Sequence, residues 1–329
     1  RHPPVVRDSL LAVLRALFAV PFMLGLPLGL LLAFFTIGSM VEFFGSWRAP
    51  FFIAAVPGLV LAVFIFLIRE PTRGAAETVK VSQEPVQQPI RKVLSIRTFW
   101  WLVMAGLAFN FATYACNAFM VPLLMRYHGV SLVNASVATG VIVGLTGLIG
   151  LTLGGWVADR IHQRFARGRL MFAAVSMLIA TLATGYALLA GRIDVGLFVA
   201  VFSIGWLFSY NFYTCVYTAI QDVVEPRLRA TAMALFFAGL YLLGGGMGTV
   251  VVGLLSDHFA EAAMLAAGAG EMAEAFRAEG LHGAMYLIPA SLLLTMVFLF
   301  QASRTFCADA KRMTAGMTAG APGAEAVPA

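Results

Sequence analysis

Charge is what this chain of 329 residues has little of: Asp, Glu, Lys and Arg together make up 12% of it, where a soluble domain carries about 25%. A water-soluble globular protein is therefore excluded. Histidine and cysteine are scarce too. His2, His128, His162, His258 and His282 fall in separate predicted loops, with no H-E-x-x-H, no Ser/His/Asp set and no paired intramembrane carboxylates. A membrane-embedded enzyme would need an acid, a base and a nucleophile at one depth, and none converge. Cys116, Cys215 and Cys307 are widely spaced and the first two lie in apolar runs, so neither a metal site nor a disulfide framework is indicated, and no cofactor is implied. A removable signal peptide is not visible. Arg1 stands where an initiator Met would be expected, which suggests a sequence that begins inside a longer protein, with N-terminal helices of the same chain missing.

What the chain does have is apolar length. It is 60% hydrophobic with mean hydropathy +0.88, and a helix that crosses a bilayer needs about 20 mostly apolar residues. Eight stretches qualify, near 16–41, 51–68, 99–124, 134–157, 170–190, 195–219, 232–255 and 283–301. The expected fold is an all-α integral membrane protein of eight transmembrane helices, with the lipid bilayer as its first partner. The net charge of +6 would suit nucleic acid in a soluble protein, but here the basic residues sit in short loops between apolar runs and read as topology signals. Sorted by alternate loops, 18 of the 22 fall on one side, and only Arg48, Arg126, Arg192 and Arg277 on the other. By the positive-inside rule the linker and both chain ends are cytoplasmic, and a location in the cell (inner) membrane follows.

The one long polar stretch divides the chain. Residues 1–68 carry two spans, 69–98 form a cytoplasmic linker with Pro71, Pro85 and Pro89, 99–304 carry six spans, and 305–329 read as a disordered tail. "PIRKVLSIR" at the linker's end could lie on the membrane as a short amphipathic helix. The segment from Asp257 to His282 carries five acids against Arg277; it reads as a solvated cap, with capture of a cationic solute as the sharper alternative. Sliding the fourth span onto the seventh by 98 positions aligns Gly147 with Gly245, Gly150 with Gly248, Gly155 with Gly253 and Asp159 with Asp257. Both spans end in G-x-x-x-D on opposite faces of the membrane, as an inverted repeat of three helices predicts.

Polar side chains inside a bilayer are costly, so a cluster on one helix face is a site candidate. Asn110, Thr113, Tyr114 and Asn117 form one stripe on the third span. Trp206, Tyr210, Tyr213 and Tyr217 form another on the sixth, with Asn211, Thr214, Thr218 and Gln221 on the neighbouring face. Either set could merely join helices. As a cavity wall, aromatics with hydrogen-bonding tips suit a small organic or amphipathic solute. No Asp, Glu, Lys, Arg or His stands mid-span; a proton-coupling residue would then lie in the missing helices.

The run "GGWVADRIHQR", with Gly155, Asp159, Arg160 and Arg164, resembles the cytoplasmic gating motif of the major facilitator superfamily, although His162 and Gln163 stand where that motif usually has glycine and a basic residue. "GSWRAPFF" from Gly45 and "REP" from Arg69 are similar to the same family's first bundle. "VPLLMRYHGVS", "PRLRATAMAL" with Arg227 and Arg229, and "GLLSDHF" with Asp257 resemble its Spinster-like branch. The resemblance implies the last two helices of an N-terminal six-helix bundle plus a complete C-terminal one, and secondary transport by alternating access. It also implies that Asp159 faces a helix N-terminus in the other bundle, here near Arg7 and Ser9. Proton coupling is expected. Two other readings stand beside transport: a truncated remnant or interaction protein, and the membrane enzyme.

Overall fold

The computed structural model describes residues 25, 27–67, 88–165 and 167–319. The expected contact of Asp159 with Arg7 and Ser9, and most of the linker, lie outside them. The described residues are helical almost throughout, and eight of their helices are long and apolar enough to span a membrane. In chain order these are α1 (Pro27–Phe44) and α2 (Ala49–Leu67), then, after the short α3 (Pro89–Leu94), α4 (Arg97–Arg126), α5 (Leu132–Arg164), α6 (Gly168–Leu189), α7 (Val195–Val223) and α8 (Pro226–Ala266). The eighth is built from α9 (Glu274–Met285) and α10 (Leu287–Ala319).

Their number and order match the sequence reading; their ends do not. α5 and α8 run past Val157 and Leu255, so Asp159 and Asp257 stand inside helices rather than closing them. His162, His258 and His282 are helical as well, not in loops. Hydropathy locates where the bilayer ends, and a helix that enters water need not stop there while its residues favour the conformation. It stops where local chemistry intervenes: Ser131 and Asp194 accept hydrogen bonds from the amides of Asn134 and Leu197 at the starts of α5 and α7, and Gly191, at φ +66°, ends the turn after α6.

The tail expectation is overturned between 305 and 319, where α10 continues without a break. Tertiary contacts account for this. α4 has no cap of its own at Ile96, and Asp309 supplies one from α10: its Oδ2 accepts from the Thr98 amide at 2.9 Å and from Thr98 Oγ1 at 2.7 Å, both residues being buried. The carboxylate satisfies an orphan donor and meets the positive end of the α4 dipole. Phe306 is buried beside it. Within the linker, α3 forms at "PIRKVL", burying Val93 and leaving Ile90, Arg91 and Lys92 exposed.

The six spans from α4 onward share one core, in which α10 packs along both α4 and α6. The glycines of α5 let it be approached from two sides. A Cβ on Gly144 would meet Leu31 of α1 at 2.6 Å, and one on Gly150 would meet the Leu207 carbonyl of α7 at 2.6 Å. α5 is thus held between α1 of the first group and α7 of the second. α2, by contrast, buries none of its apolar window.

The inverted repeat is visible in three dimensions. α5 and α8 each contain a π-helical segment, Val141–Leu145 and Gly239–Gly245, and the two begin 98 residues apart. Gly150 lies on the Leu207 carbonyl of α7 and Gly248 on the Phe111 carbonyl of α4, the latter at 2.5 Å from an added Cβ. Gly147 lies against Tyr210 and Gly245 against Tyr114. Equivalent glycines touch equivalent partners, which chance alignment of a common residue would not produce.

Candidate functional site

A π-helical turn shifts the hydrogen-bond register and leaves backbone carbonyls in search of donors. In both repeats a predicted site residue answers that need. Tyr210 donates its hydroxyl to the Val143 carbonyl at 2.6 Å, and Asn110 donates Nδ2 to the Leu240 carbonyl at 2.7 Å. Both are buried, as is Trp206 beneath the Phe202 ring. Asn211 is also interior, donating to Ser176 Oγ at 2.9 Å and filling the space over Gly154. These four candidates sit between helices, where each is packed or hydrogen-bonded, although Asn211 Oδ1 has no hydrogen-bond partner among the described residues.

The rest of the two stripes is different. Tyr213, Tyr217, Phe237 and Tyr241 form a chain of ring contacts with centroids 5.5 to 5.8 Å apart, and Tyr114 meets Tyr241 at 6.4 Å. This wall is contributed by α4, α7 and α8, and Tyr114 and Tyr241 are exposed on it. Thr113 and Thr214 bond back to carbonyls of their own helices, Phe109 and Asn211. Asn117 differs from these neighbours on the wall. Its Oδ1 is shielded from solvent and has no hydrogen-bond partner among the described residues. A buried amide oxygen left unpaired is costly.

At the arginine-rich end the gate candidates divide. Asp159 is paired, but not with the arginines that follow it directly. Arg169, at the start of α6, reaches Asp159 of α5 at 3.0 Å and Asp222 of α7 at 3.1 Å. Its side chain is 12% exposed, against 66% for Asp159 and 36% for Asp222, so one cation ties three helices together. Arg160 instead lies over the Trp156 ring at 3.6 Å. Arg229 donates to the Gln221 carbonyl at 3.2 Å and Arg227 meets Glu225 at 3.4 Å, which together close the turn between α7 and α8. Gly155 lies 3.7 Å, as an added Cβ, from the Thr214 methyl. No ion pair joins Asp257 to another described residue, so it lacks the pairing that its repeat equivalent Asp159 has. Sequence reasoning missed Arg169 because a helix end and a loop separate it from Asp159, and no helical period links the two.

At the other end, Tyr127 stacks on His282 at 4.1 Å and Arg192 lies over Tyr127 while pairing with Glu279. His128 follows Tyr127 and contacts Phe198 at 4.8 Å. Desolvation first, then the neighbouring His282 and Arg192, hold the His128 imidazole below its ordinary pKa of 6.5. The folded state therefore favours the neutral ring, and the unfolded state binds more protons as acid is added. Stability present above pH 6.5 should be lost as pH falls below it. A thermal-unfolding series from pH 8 to 5 should show that decline, and His128→Gln should reduce it.

Comparison with known proteins decides the identity of this arrangement. The profile of the Major Facilitator Superfamily matches residues 2–249. The chain belongs to that superfamily. An MFS-type efflux pump of Mycolicibacterium smegmatis is 30% identical over 222 residues, covering 66% of this chain and 49% of that protein. Protein spinster homolog 3 of Danio rerio is 26% identical, covering 79% of this chain and 55% of that protein, and Spinster-type relatives recur among the matches. The similarity to the Spinster-like branch stands with them. The inward-facing, unoccupied structure of a bacterial Spinster homolog has the same fold, with TM-score 0.73 over 94% of this chain and 73% of the other at 24% identity. The chain spans about half the length of the curated relatives it matches. Its superfamily relatives are transporters rather than enzymes.

Proposed function

We propose that this chain forms most of a secondary transporter of a small organic or amphipathic solute, working by alternating access and driven by protons. It would lie in the cell membrane with its arginine-rich face in the cytoplasm. The observation that carries the reading is the unpaired Asn117 Oδ1 on a face walled by tyrosines. Such a wall receives flat or aliphatic groups, and the amide orients them through one hydrogen bond. Alternating access is supported by likeness to facilitator folds solved inward-facing and outward-facing. The Asp159–Arg169–Asp222 cluster suits a gate, because it can be assembled and parted by small shifts of α5, α6 and α7. Among the relatives are a hexuronate transporter and sphingosine-1-phosphate transporters, which supply two contrasting probes, a hexuronate and a phosphorylated amphiphile.

Uptake of both probes into proteoliposomes, with and without a pH gradient, tests the proposal. Asn117→Ala should slow uptake of the transported probe roughly tenfold, the worth of one well-placed hydrogen bond, with no change in thermal stability. Tyr210→Phe should do the reverse, lowering stability by about 1–3 kcal/mol through the abandoned Val143 carbonyl. Unchanged uptake in Asn117→Ala and Tyr114→Ala would remove the site. Uptake indifferent to a collapsed pH gradient would remove proton coupling.

A further inference from the structure

The segment "DRIHQRFARGR" carries four arginines, and the structure engages only two of them. Arg160 is spent on the Trp156 ring and Arg169 on Asp159 and Asp222. Arg164 and Arg167 are exposed, and no ion pair joins either to another described residue. Arg167 lines a groove of about 370 Å³ between the end of α5 and the start of α6, together with Ile161, Phe165, Met171, Phe172 and Val175, and Arg164 directly precedes the lining residue Phe165 in the chain. Arg167 is the sole charge on the lining. The groove exists because Gly168 has no side chain. A Cβ there would meet Ile161 Cγ2 at 2.6 Å and the Ile161 carbonyl at 3.1 Å, so α6 begins directly against the last turns of α5.

Its shape and depth point to one class of occupant. Phe165 and Val175 are exposed, so the groove opens on the outer surface of the helices. From Arg167 to Val175 it runs about 12 Å along α6, from the charged end of that span into its apolar length. Its volume is that of roughly one fatty-acyl chain. A soluble organic anion could use the arginines but would gain nothing from the walls; a neutral lipid could use the walls but not the uncommitted charge.

We propose that this groove is a binding site for one anionic phospholipid, with its acyl chain along Phe165, Met171, Phe172 and Val175 and its headgroup phosphate on Arg167 and Arg164. The site is separate from the tyrosine wall and does not depend on which solute is carried. A bound lipid here would brace the α5–α6 turn, the same turn that presents Arg169 to Asp159.

Native mass spectrometry of the chain released from bilayers of equal phosphatidylglycerol and phosphatidylcholine tests this directly. One phosphatidylglycerol should be retained in preference to phosphatidylcholine. Arg167→Gln should weaken that retention roughly fivefold, the factor expected of one basic residue at an anionic surface, and Arg164→Gln similarly. Val175→Trp, which fills the groove and leaves both arginines, should also reduce it, whereas Arg312→Gln, at an exposed arginine outside the lining, should not. Equal retention of the two lipids, or retention unaltered in the arginine variants, overturns the site. Loss on adding inorganic phosphate, with Val175→Trp silent, would show that the arginines hold a free anion and would overturn the lipid assignment.

Discussion

Arg169→Gln is expected to lower the stability of the chain by on the order of 2 kcal/mol and to slow uptake more than tenfold. The reasoning starts from burial. The guanidinium is 12% exposed and donates to carboxylates on two other helices, at 3.0 and 3.1 Å. Removing the cation leaves Asp159 and Asp222 facing each other without compensation. Hydrogen bonds to charged groups contribute about 1.5–3 kcal/mol each, and the Asp159 arm must be discounted because that carboxylate is 66% exposed. The order of effects should therefore be Arg169→Gln, then Asp222→Asn, then Asp159→Asn. Arg169→Lys should recover only part of the loss, since an ammonium lacks the fork that reaches two partners. Adding Asp159→Asn and Asp222→Asn to Arg169→Gln should restore stability by removing the repulsion, while leaving transport impaired if the cluster is a gate. Thermal unfolding alongside proteoliposome uptake separates the two quantities. A variant Arg169→Gln with unaltered stability and uptake would mean that the three charges are only neighbours.

Gly248→Ala is expected to cost about 1–3 kcal/mol, the usual penalty of forcing atoms into a filled interface, while Gly246→Ala two residues away is neutral or slightly stabilising. A Cβ on Gly248 would lie 2.5 Å from the Phe111 carbonyl and 3.1 Å from its Cα, backbone atoms that cannot swing aside. A Cβ on Gly246 meets nothing within 4 Å, and alanine is the better helix former. Because the repeat places Gly150 on the Leu207 carbonyl in the same way, Gly150→Ala should match Gly248→Ala rather than Gly246→Ala. Thermal unfolding of the three variants is sufficient. Equal stability of all three would deny the close approach of α4 to α8 and of α7 to α5.

The spans were legible because what marks them is local: an apolar run of sufficient length needs no partner to be recognised. The repeat was legible for a related reason, since a fixed offset of glycines and aspartates survives in one dimension. The functional face was not. Asn110 and Asn117 stand two helical turns apart on one stripe and look equivalent in sequence, yet Asn110 serves the Leu240 carbonyl while Asn117 Oδ1 has no partner. The difference arises from a π-helical segment on another helix. Asp309 was read as part of a loose tail, and only the approach of α10 to the start of α4 turns it into a cap.

By itself, then, the sequence determined that this is a polytopic helical protein, where its eight apolar runs lie, which ends of them hold the arginines and that two triplets of helices repeat. Each of these follows from transfer free energy or periodicity along the chain. Only the tertiary structure decided which of four arginines grips the two aspartates, which tyrosine caps a carbonyl and which walls a cavity, and where a groove opens. Those outcomes depend on the directions in which side chains leave neighbouring helices, and residues far apart in sequence carry no record of that until the helices are packed.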